Sequence, residues 1–264
     1  MAQIRVVVSG TGKMGREILA AVCADAELEP VGVLEKFSAE EYVSLPDGSG
    51  LVHLDKDPQA LLSRARPDVV IDFTQAEWTP HVVKAALDNG VRMVIGTTGL
   101  SEDLLSDLDR ACKEKGIGAI AASNFAIGAV LMMHLAKTVA RHLDHAEIIE
   151  LHHNQKIDAP SGTAIATAQG MLASRGRPFL EAPTQKEMVA GTRGGSLGGI
   201  AIHSVRLPGL VAHQEVIFGG TGQTLTIRHD STGRDSFMPG VLLATKEVMK
   251  RIELVRGLDK LIGL

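Results

Sequence analysis

Ile4-Arg5-Val6-Val7-Val8-Ser9-Gly10-Thr11-Gly12-Lys13-Met14-Gly15 is the stretch that decides the fold. A largely β-branched run reads as a buried strand. It stops at a glycine turn, and a helical pattern follows over Lys13 to Cys23. The glycines have the G-x-G-x-x-G spacing that lets a backbone turn tightly and brings a pyrophosphate up to bare helix amides. Outward from this unit the alternation repeats. Val31 to Leu34 is a second strand, ending at Glu35. Phe37 to Gly50 is polar and glycine-containing, an irregular connection. Asp57-Pro58 opens a helix through Ala65, Val69 to Phe73 is a buried strand, and His81 to Leu87 is helical. Met93-Val94-Ile95 leads into Gly96-Thr97-Thr98-Gly99, Ser101 starts another helix, and Ile117 to Ala122 is a strand ending at Ser123-Asn124-Phe125. Strands alternating with helices require right-handed crossovers, which gives an α/β, Rossmann-type, doubly wound parallel sheet. Ligands of such sheets sit at the carboxyl ends of the strands.

The grammar changes near residue 126. Ala129 to His142 is a long helix, Ala146 to His153 a strand, and Ser161 to Ser174 a helix. Arg177 to Gly199 is glycine-rich and without period. Ile200 to Leu207, Val211 to Phe218 and Thr224 to His229 are strand-like, joined by Pro208-Gly209 and Gly219-Gly220-Thr221-Gly222. These turn signals predict a meander, and with it a second α+β domain whose sheet is mixed and largely antiparallel. Ser236 to Leu254 reads as a helix returning to the first domain. The expected division is 1–126 with 236–264 for the dinucleotide, and 127–235 for the substrate.

Composition excludes several classes. The 264 residues hold 45% hydrophobic and 22% charged side chains, ordinary globular values that permit a sizeable core. A net charge of -4 gives no general pull towards nucleic acid or anionic membrane, and one Trp, one Tyr and six Phe are too few for a base-stacking platform. No apolar run approaches the roughly 20 residues that span a bilayer. The amino terminus runs directly into a strand, so no signal peptide is expected. Cys23 and Cys112 lie far apart in helices and match no metal spacing, which suits idle thiols in a reducing, cytoplasmic setting.

The loop residues Gly10, Thr11, Gly12, Lys13 and Met14 are the expected pyrophosphate contacts. Glu35 follows Gly15 by 20 residues at the end of the second strand, where a carboxylate holds the adenosine ribose hydroxyls. Lys36, beside it, and Lys13 are placed to neutralise a 2′-phosphate, so NADH and NADPH both remain open. Gly96, Thr97 and Thr98 offer amides and two hydroxyls near the nicotinamide position. Asn124 and Phe125 are further candidates for the ring.

The chemistry is expected in His152-His153-Asn154-Gln155-Lys156-Ile157-Asp158-Ala159-Pro160-Ser161-Gly162-Thr163-Ala164. Pro160 suits the first turn of a helix, with Asp158 or Ser161 as its cap, and the amides of Ser161, Gly162 and Thr163 are then free to receive a carboxylate. Hydride from a reduced nicotinamide lands on an electron-poor carbon, and an acid must supply the proton. Lys156 is that acid if neighbouring cations or burial lower its pKa. His152 polarises the substrate or exchanges a proton, His153 binds one carboxylate, and Gly162 with Thr163 take the second. Adjacent histidines point to opposite faces of a strand and make a poor bidentate pair, so no metal is expected. Arg206 and His213, flanking Leu207-Pro208-Gly209, are secondary candidates, Arg206 for a substrate carboxylate.

The string Glu150-Leu151-His152-His153 through Lys156, with Asp158-Ala159-Pro160-Ser161-Gly162-Thr163-Ala164, resembles the 4-hydroxy-tetrahydrodipicolinate reductases (dihydrodipicolinate reductases) of bacterial lysine biosynthesis. Gly96-Thr97-Thr98-Gly99, Ser123-Asn124-Phe125 and the glycine loop stand in the family's order, so the likeness covers essentially the whole chain. The resemblance implies NADH- or NADPH-dependent reduction of a cyclic dicarboxylate to tetrahydrodipicolinate by a homotetramer, with residues 127–235 as the substrate-binding and oligomerisation domain. It implies His152 as catalytic donor or acceptor and Lys156 as proton donor. His153, Gly162 and Thr163 become substrate contacts; Glu35, Gly96 to Thr98 and Ala122, Ser123, Asn124 and Phe125 become cofactor contacts. One departure stands out. The family's loop is usually G-x-x-G-R-M-G, and here it is one residue shorter with Lys13 for arginine, losing a planar bidentate grip on a 2′-phosphate. Two rival readings remain. A dinucleotide sensor would bind cofactor without oxidising it. A semialdehyde dehydrogenase would need a nucleophilic cysteine, which Cys23 and Cys112 are badly placed to supply.

Overall fold

The computed structural model describes residues 2–264; Met1, which the expected first domain includes, lies outside the described residues. The chain divides into two compact units, one made of the residues up to Ile127 together with Phe237–Leu264, the other Gly128–Ser236.

In the first unit β1 (Ile4–Ser9), α1 (Lys13–Ala24) and β2 (Leu28–Leu34) form the opening βαβ. Then come β3 (Tyr42–Ser44), β4 (Leu51–Asp55), α2 (Pro58–Ala65), β5 (Val69–Asp72), α3 (Thr79–Asn89), β6 (Arg92–Ile95), α4 (Glu102–Lys115) and β7 (Ala119–Ala121). The helix starts obey local chemistry. Asp57 caps α2 by accepting from the Gln59 and Ala60 amides with Pro58 following, and the Ser101 hydroxyl caps α4. The helix α5 (Ile127–Val139) begins at the boundary between the units, and β8 (His145–His152) and α6 (Gly162–Arg175) follow in the second.

The second unit continues with β9 (Gly195–Leu197), β10 (Ile200–Arg206), β11 (Ala212–Gly220) and β12 (Gln223–Ser231). The chain then rejoins the first unit through α7 (Met238–Glu247) and β13 (Leu254–Arg256).

The first sheet has eight strands in the order β13-β7-β6-β5-β1-β2-β4-β3. Every pairing is parallel except β3 with β4. From β1 the sheet extends through β2, β4 and β3 on one side and through β5, β6, β7 and β13 on the other, so β1 marks the switch point where the carboxyl edge opens into a crevice. Its central strands are buried on both faces, with Val6, Val7, Val8, Val70, Ile71 and Val94 at 0–1% exposure.

Three expectations fail here. Phe37 to Gly50 is not an irregular connection alone, because it contains β3, which pairs with the following β4 to extend the sheet. The carboxyl-terminal helix does not reach Leu254, which instead begins β13 and pairs in parallel with β7. The second sheet is not a meander: its order is β12-β11-β8-β10-β9, so β8 separates β10 from β11. β10 runs parallel to β8, while the β11–β8, β11–β12 and β9–β10 pairings are antiparallel. The sheet is therefore mixed and largely antiparallel. Ile148, Val216 and Phe218 on it pack with Ala164, Ala168 and Met171 of α6 in one buried cluster. Among the described residues no helix is long and apolar enough to cross a membrane.

Candidate functional site

At the switch point the loop Gly10–Gly15 and the end of β2 line a cavity of about 450 Å³. Gly15 is required by space: a Cβ there would lie 1.9 Å from the Gly10 carbonyl oxygen. This close approach seats α1 on the loop. Gly12 caps α1 without a side chain, and Arg16 N is the first amide to bond back, to Gly12 O. The amides of Lys13, Met14 and Gly15, residues that line this cavity, thus have no backbone acceptor at a helix N-terminus with no acidic residue in its first turn. That cradle fits a dinucleotide pyrophosphate.

Glu35 stands beside it and accepts from Thr11 twice through Oε2, from the hydroxyl at 2.6 Å and the amide at 2.8 Å. Burial pushes its carboxyl up, but the Thr11 bonds and the Phe37 amide outweigh it, and the pKa is lowered. Thr11 therefore orients Glu35 instead of facing the cavity. Lys36 Nζ lies 5.3 Å from the Phe37 ring centre and 5.8 Å from that of Trp78. Trp78 lines the same cavity and was not among the expected contacts. Its signal is that the chain's single Trp follows a strand end on the cofactor edge.

The next strand ends are knotted by Asp72. Its carboxylate accepts from the hydroxyls of Thr74 at 2.6 Å, Thr79 at 2.5 Å and Thr97 at 3.4 Å. Burial raises the Asp72 pKa against those bonds. The Thr97 hydroxyl is consequently spent inside the protein, also accepting from the Thr74 amide at 3.0 Å, and only Thr98 keeps an exposed hydroxyl. Gly96 leaves room for Phe73, whose ring would lie 2.1 Å from an added Cβ. Phe125 is 1% exposed and packs on Phe73 with ring centres 4.9 Å apart, so its ring serves the core of this unit. Ala122 is buried, Ser123 exposed, and Asn124 accepts from the Ala126 amide at 2.9 Å. Gly96 to Thr98 and Ala122 to Asn124 lie at the ends of β6 and β7, on the same carboxyl edge as Glu35.

In the second unit β8 delivers His152 as its last residue, and His153 falls beyond the strand into the turn closed by the Lys156 amide on His153 O. The opposite-face argument for the two histidines therefore does not apply. His153 is exposed. Lys156 is half-buried and donates to Asp158 Oδ1 at 2.7 Å, so its immediate neighbour is a carboxylate, not a cation. Asp158 is thereby removed from helix capping. Ser161 caps α6 through its hydroxyl on the Ala164 amide, and Pro160 stands ahead of the helix, outside its first turn. The Ser161 amide is also taken, by Glu150 Oε1 at 3.2 Å. The amides of Gly162 and Thr163 remain, a cradle for one carboxylate.

Glu150 is the residue that the sequence reading passed over. Fully buried on β8, it accepts at Oε2 from His152 Nδ1 at 2.5 Å and is gripped by both terminal nitrogens of Arg206 at 2.8 and 2.7 Å. Its signal was an acid inside the apolar run Ile148-Ile149-Glu150-Leu151, two residues before His152 and so on the same strand face. Arg206 is thus committed to Glu150 and to Asp158 O, rather than reaching for a ligand carboxylate. His213 is held by Asp230 at 2.7 Å. Burial lowers the His152 pKa against the pull of Glu150, and the charges of Lys156 and Arg206 lower it further. Burial, with Asp109 adding, pushes the Cys112 thiol up to about 11, and Cys23 is raised as well, which removes the nucleophile that a semialdehyde dehydrogenase needs.

A parallel sheet whose switch point opens onto bare helix amides and a ribose-height carboxylate belongs to an oxidoreductase that uses a nicotinamide nucleotide. Models of the dihydrodipicolinate reductase N-terminus and C-terminus match residues 4–125 and 128–262. A 4-hydroxy-tetrahydrodipicolinate reductase of Dehalococcoides mccartyi is 49% identical over 265 residues, 100% of both chains, and that of Moorella thermoacetica 47% identical over 99% of both. The dipicolinate-bound dihydrodipicolinate reductase of Paenisporosarcina sp. superposes with a TM-score of 0.88 at 42% identity, over 98% of this chain and 99% of that one. This chain belongs to the dihydrodipicolinate reductase family.

Proposed function

We propose that the protein reduces 4-hydroxy-tetrahydrodipicolinate, through its dehydrated form, to tetrahydrodipicolinate on the route to diaminopimelate and lysine, with its two units contributing separate halves of the reaction. The observation that carries this reading is the placement of His152, Lys156 and the two open amides of Gly162 and Thr163 within one short segment from the end of β8 to the start of α6. The Gly12–Gly15 amides would hold the cofactor pyrophosphate and Glu35 its ribose. When bound, the reduced nicotinamide supplies the hydride. Gly162 and Thr163 take one substrate carboxylate and exposed His153 the other. Lys156, tethered by Asp158, delivers the proton that the reduced heterocycle needs. Dipicolinate, named in the Paenisporosarcina structure, is an aromatic dicarboxylate of the kind this cradle would accept.

NADH is a working hydride donor in this reading. The ionised Glu35 disfavours a 2′-phosphate, and Lys13 offers only a point charge where the family usually has arginine. The test is a coupled assay in which substrate is generated from pyruvate and aspartate semialdehyde and reduced-nicotinamide absorbance is followed with each dinucleotide. A strong NADPH preference in kcat/KM overturns the inference from Lys13. Cofactor binding without any substrate-dependent oxidation supports the sensor reading instead. The family resemblance also leads us to propose a homotetramer, which light scattering checks; a monomer overturns it.

A further inference from the structure

We infer that Glu150, clamped by Arg206, is the positioning residue that fixes His152 as a hydrogen-bond acceptor through Nε2, so that the substrate group it meets is an N–H or O–H donor and not a carboxylate. The inference rests on the assignment of His152 to the reaction. Arg206 donates to both oxygens of the Glu150 carboxylate and the Ser161 amide to Oε1, while His152 Nδ1 lies 2.5 Å from Oε2. An ionised carboxylate has about four lone-pair sites and donates nothing. Held ionised, it leaves His152 Nδ1 only the donor role, and the single ring proton of a neutral imidazole then sits on Nδ1. Nε2 carries a bare lone pair.

The pairing with Arg206 separates this arrangement from a catalytic triad. There, a carboxylate stabilises the imidazolium that forms when histidine takes a proton. Here both terminal nitrogens of Arg206 already neutralise Glu150. Lys156, Arg206 and Glu150 are the charged groups that bear on the ring, two cations against one anion. That balance disfavours imidazolium, and His152 serves as a fixed acceptor while Lys156 alone carries the transferable proton. Glu150 also ties β8 to the residue that caps α6 and, through Arg206, to β10. One buried carboxylate thereby sets the spacing between Nε2 and the Gly162 and Thr163 amides. The sequence separations, 11 residues to Ser161 and 56 to Arg206, hide this unit from local motifs.

The test uses full-length enzyme labelled with ¹⁵N-histidine. Long-range proton–nitrogen correlations of His152, assigned by their loss in His152→Ala, should show a protonated Nδ1 and an unprotonated Nε2 across the active pH range. An Nε2–H tautomer or an imidazolium in the wild type at active pH overturns the inference. Glu150→Gln, whose amide can donate to Nδ1, should release the tautomer and lower kcat about tenfold or more with a smaller change in KM. Glu150→Asp should restore the wild-type pattern in part. Wild-type kcat and an unchanged tautomer in Glu150→Gln also overturn it, and should that variant not fold, the wild-type spectrum decides alone. Near-normal turnover by His152→Ala would instead remove the assignment of His152, a result separate from the tautomer.

Discussion

Two helix N-termini in this molecule present open amides, and they are built in opposite ways. That of α1 is bare: glycine caps it, no side chain intrudes, and three consecutive amides stay open behind a loop whose Gly10 and Gly15 touch. That of α6 is furnished: Ser161 caps it through its side chain and loses its own amide to Glu150, leaving two amides open among ionisable groups. A backbone site of this first kind suits an elongated diphosphate that must be held without being altered. A side-chain site of the second kind suits one carboxylate held beside groups that move or accept a proton. In the function we propose, the same dipole and the same orphan amides serve binding in one unit and chemistry in the other.

Substitutions should separate the two. The largest effect is expected at Gly15→Ala, where the new methyl must displace the Gly10 backbone. We expect a stability loss of about 3 kcal/mol and loss of dinucleotide affinity, read by thermal melting and by cofactor fluorescence titration. A folded variant with normal affinity would break the claim that the loop's closeness makes the cradle. Next comes His152→Ala, expected to lower kcat by about 100-fold through the lost hydrogen bond to substrate, with the dinucleotide Kd unchanged. Glu35→Ala should raise the NADPH-to-NADH ratio of kcat/KM by about tenfold, the equivalent of roughly 1.4 kcal/mol. An unchanged ratio would move specificity away from the ribose carboxylate.

The smallest effects sharpen the α6 side. Ser161→Ala should cost about 1 kcal/mol of stability through the lost cap, measured by denaturant unfolding. A pH effect follows from His152, whose folded pKa is depressed. The unfolded chain takes up a proton near the ordinary value of about 6.5 while the folded chain does so only lower. The group's contribution is therefore present above that pH and lost as pH falls through the folded pKa. The fall in melting temperature on acidification below about pH 6.5 should be shallower in His152→Ala than in wild type.

Legibility in the sequence followed locality. The glycine loop, the strand ending at Glu35, the Asp57-Pro58 and Ser101 helix starts and the segment after β8 each carry their signal within a few residues. The strand β13 spans three residues, too short for a period, and its partner β7 lies more than 130 residues upstream. The order β11-β8-β10 is a property of pairing, and turns such as Pro208-Gly209 do not say which strand lies across. Thr97 looked available because its partner Asp72 is 25 residues away. Glu150 read as a strand residue because Arg206 and Ser161 are remote in sequence. What the local pattern withheld was who occupies each donor and acceptor.

The most direct test of this division of labour is Lys156→Ala, carried through both assays on one preparation. Cofactor affinity by titration should match wild type, while substrate-dependent oxidation of reduced nicotinamide in the coupled assay falls by 100-fold or more, within the range of about 10²–10⁴ expected for loss of a general acid. Near-normal turnover in that variant would contradict the account.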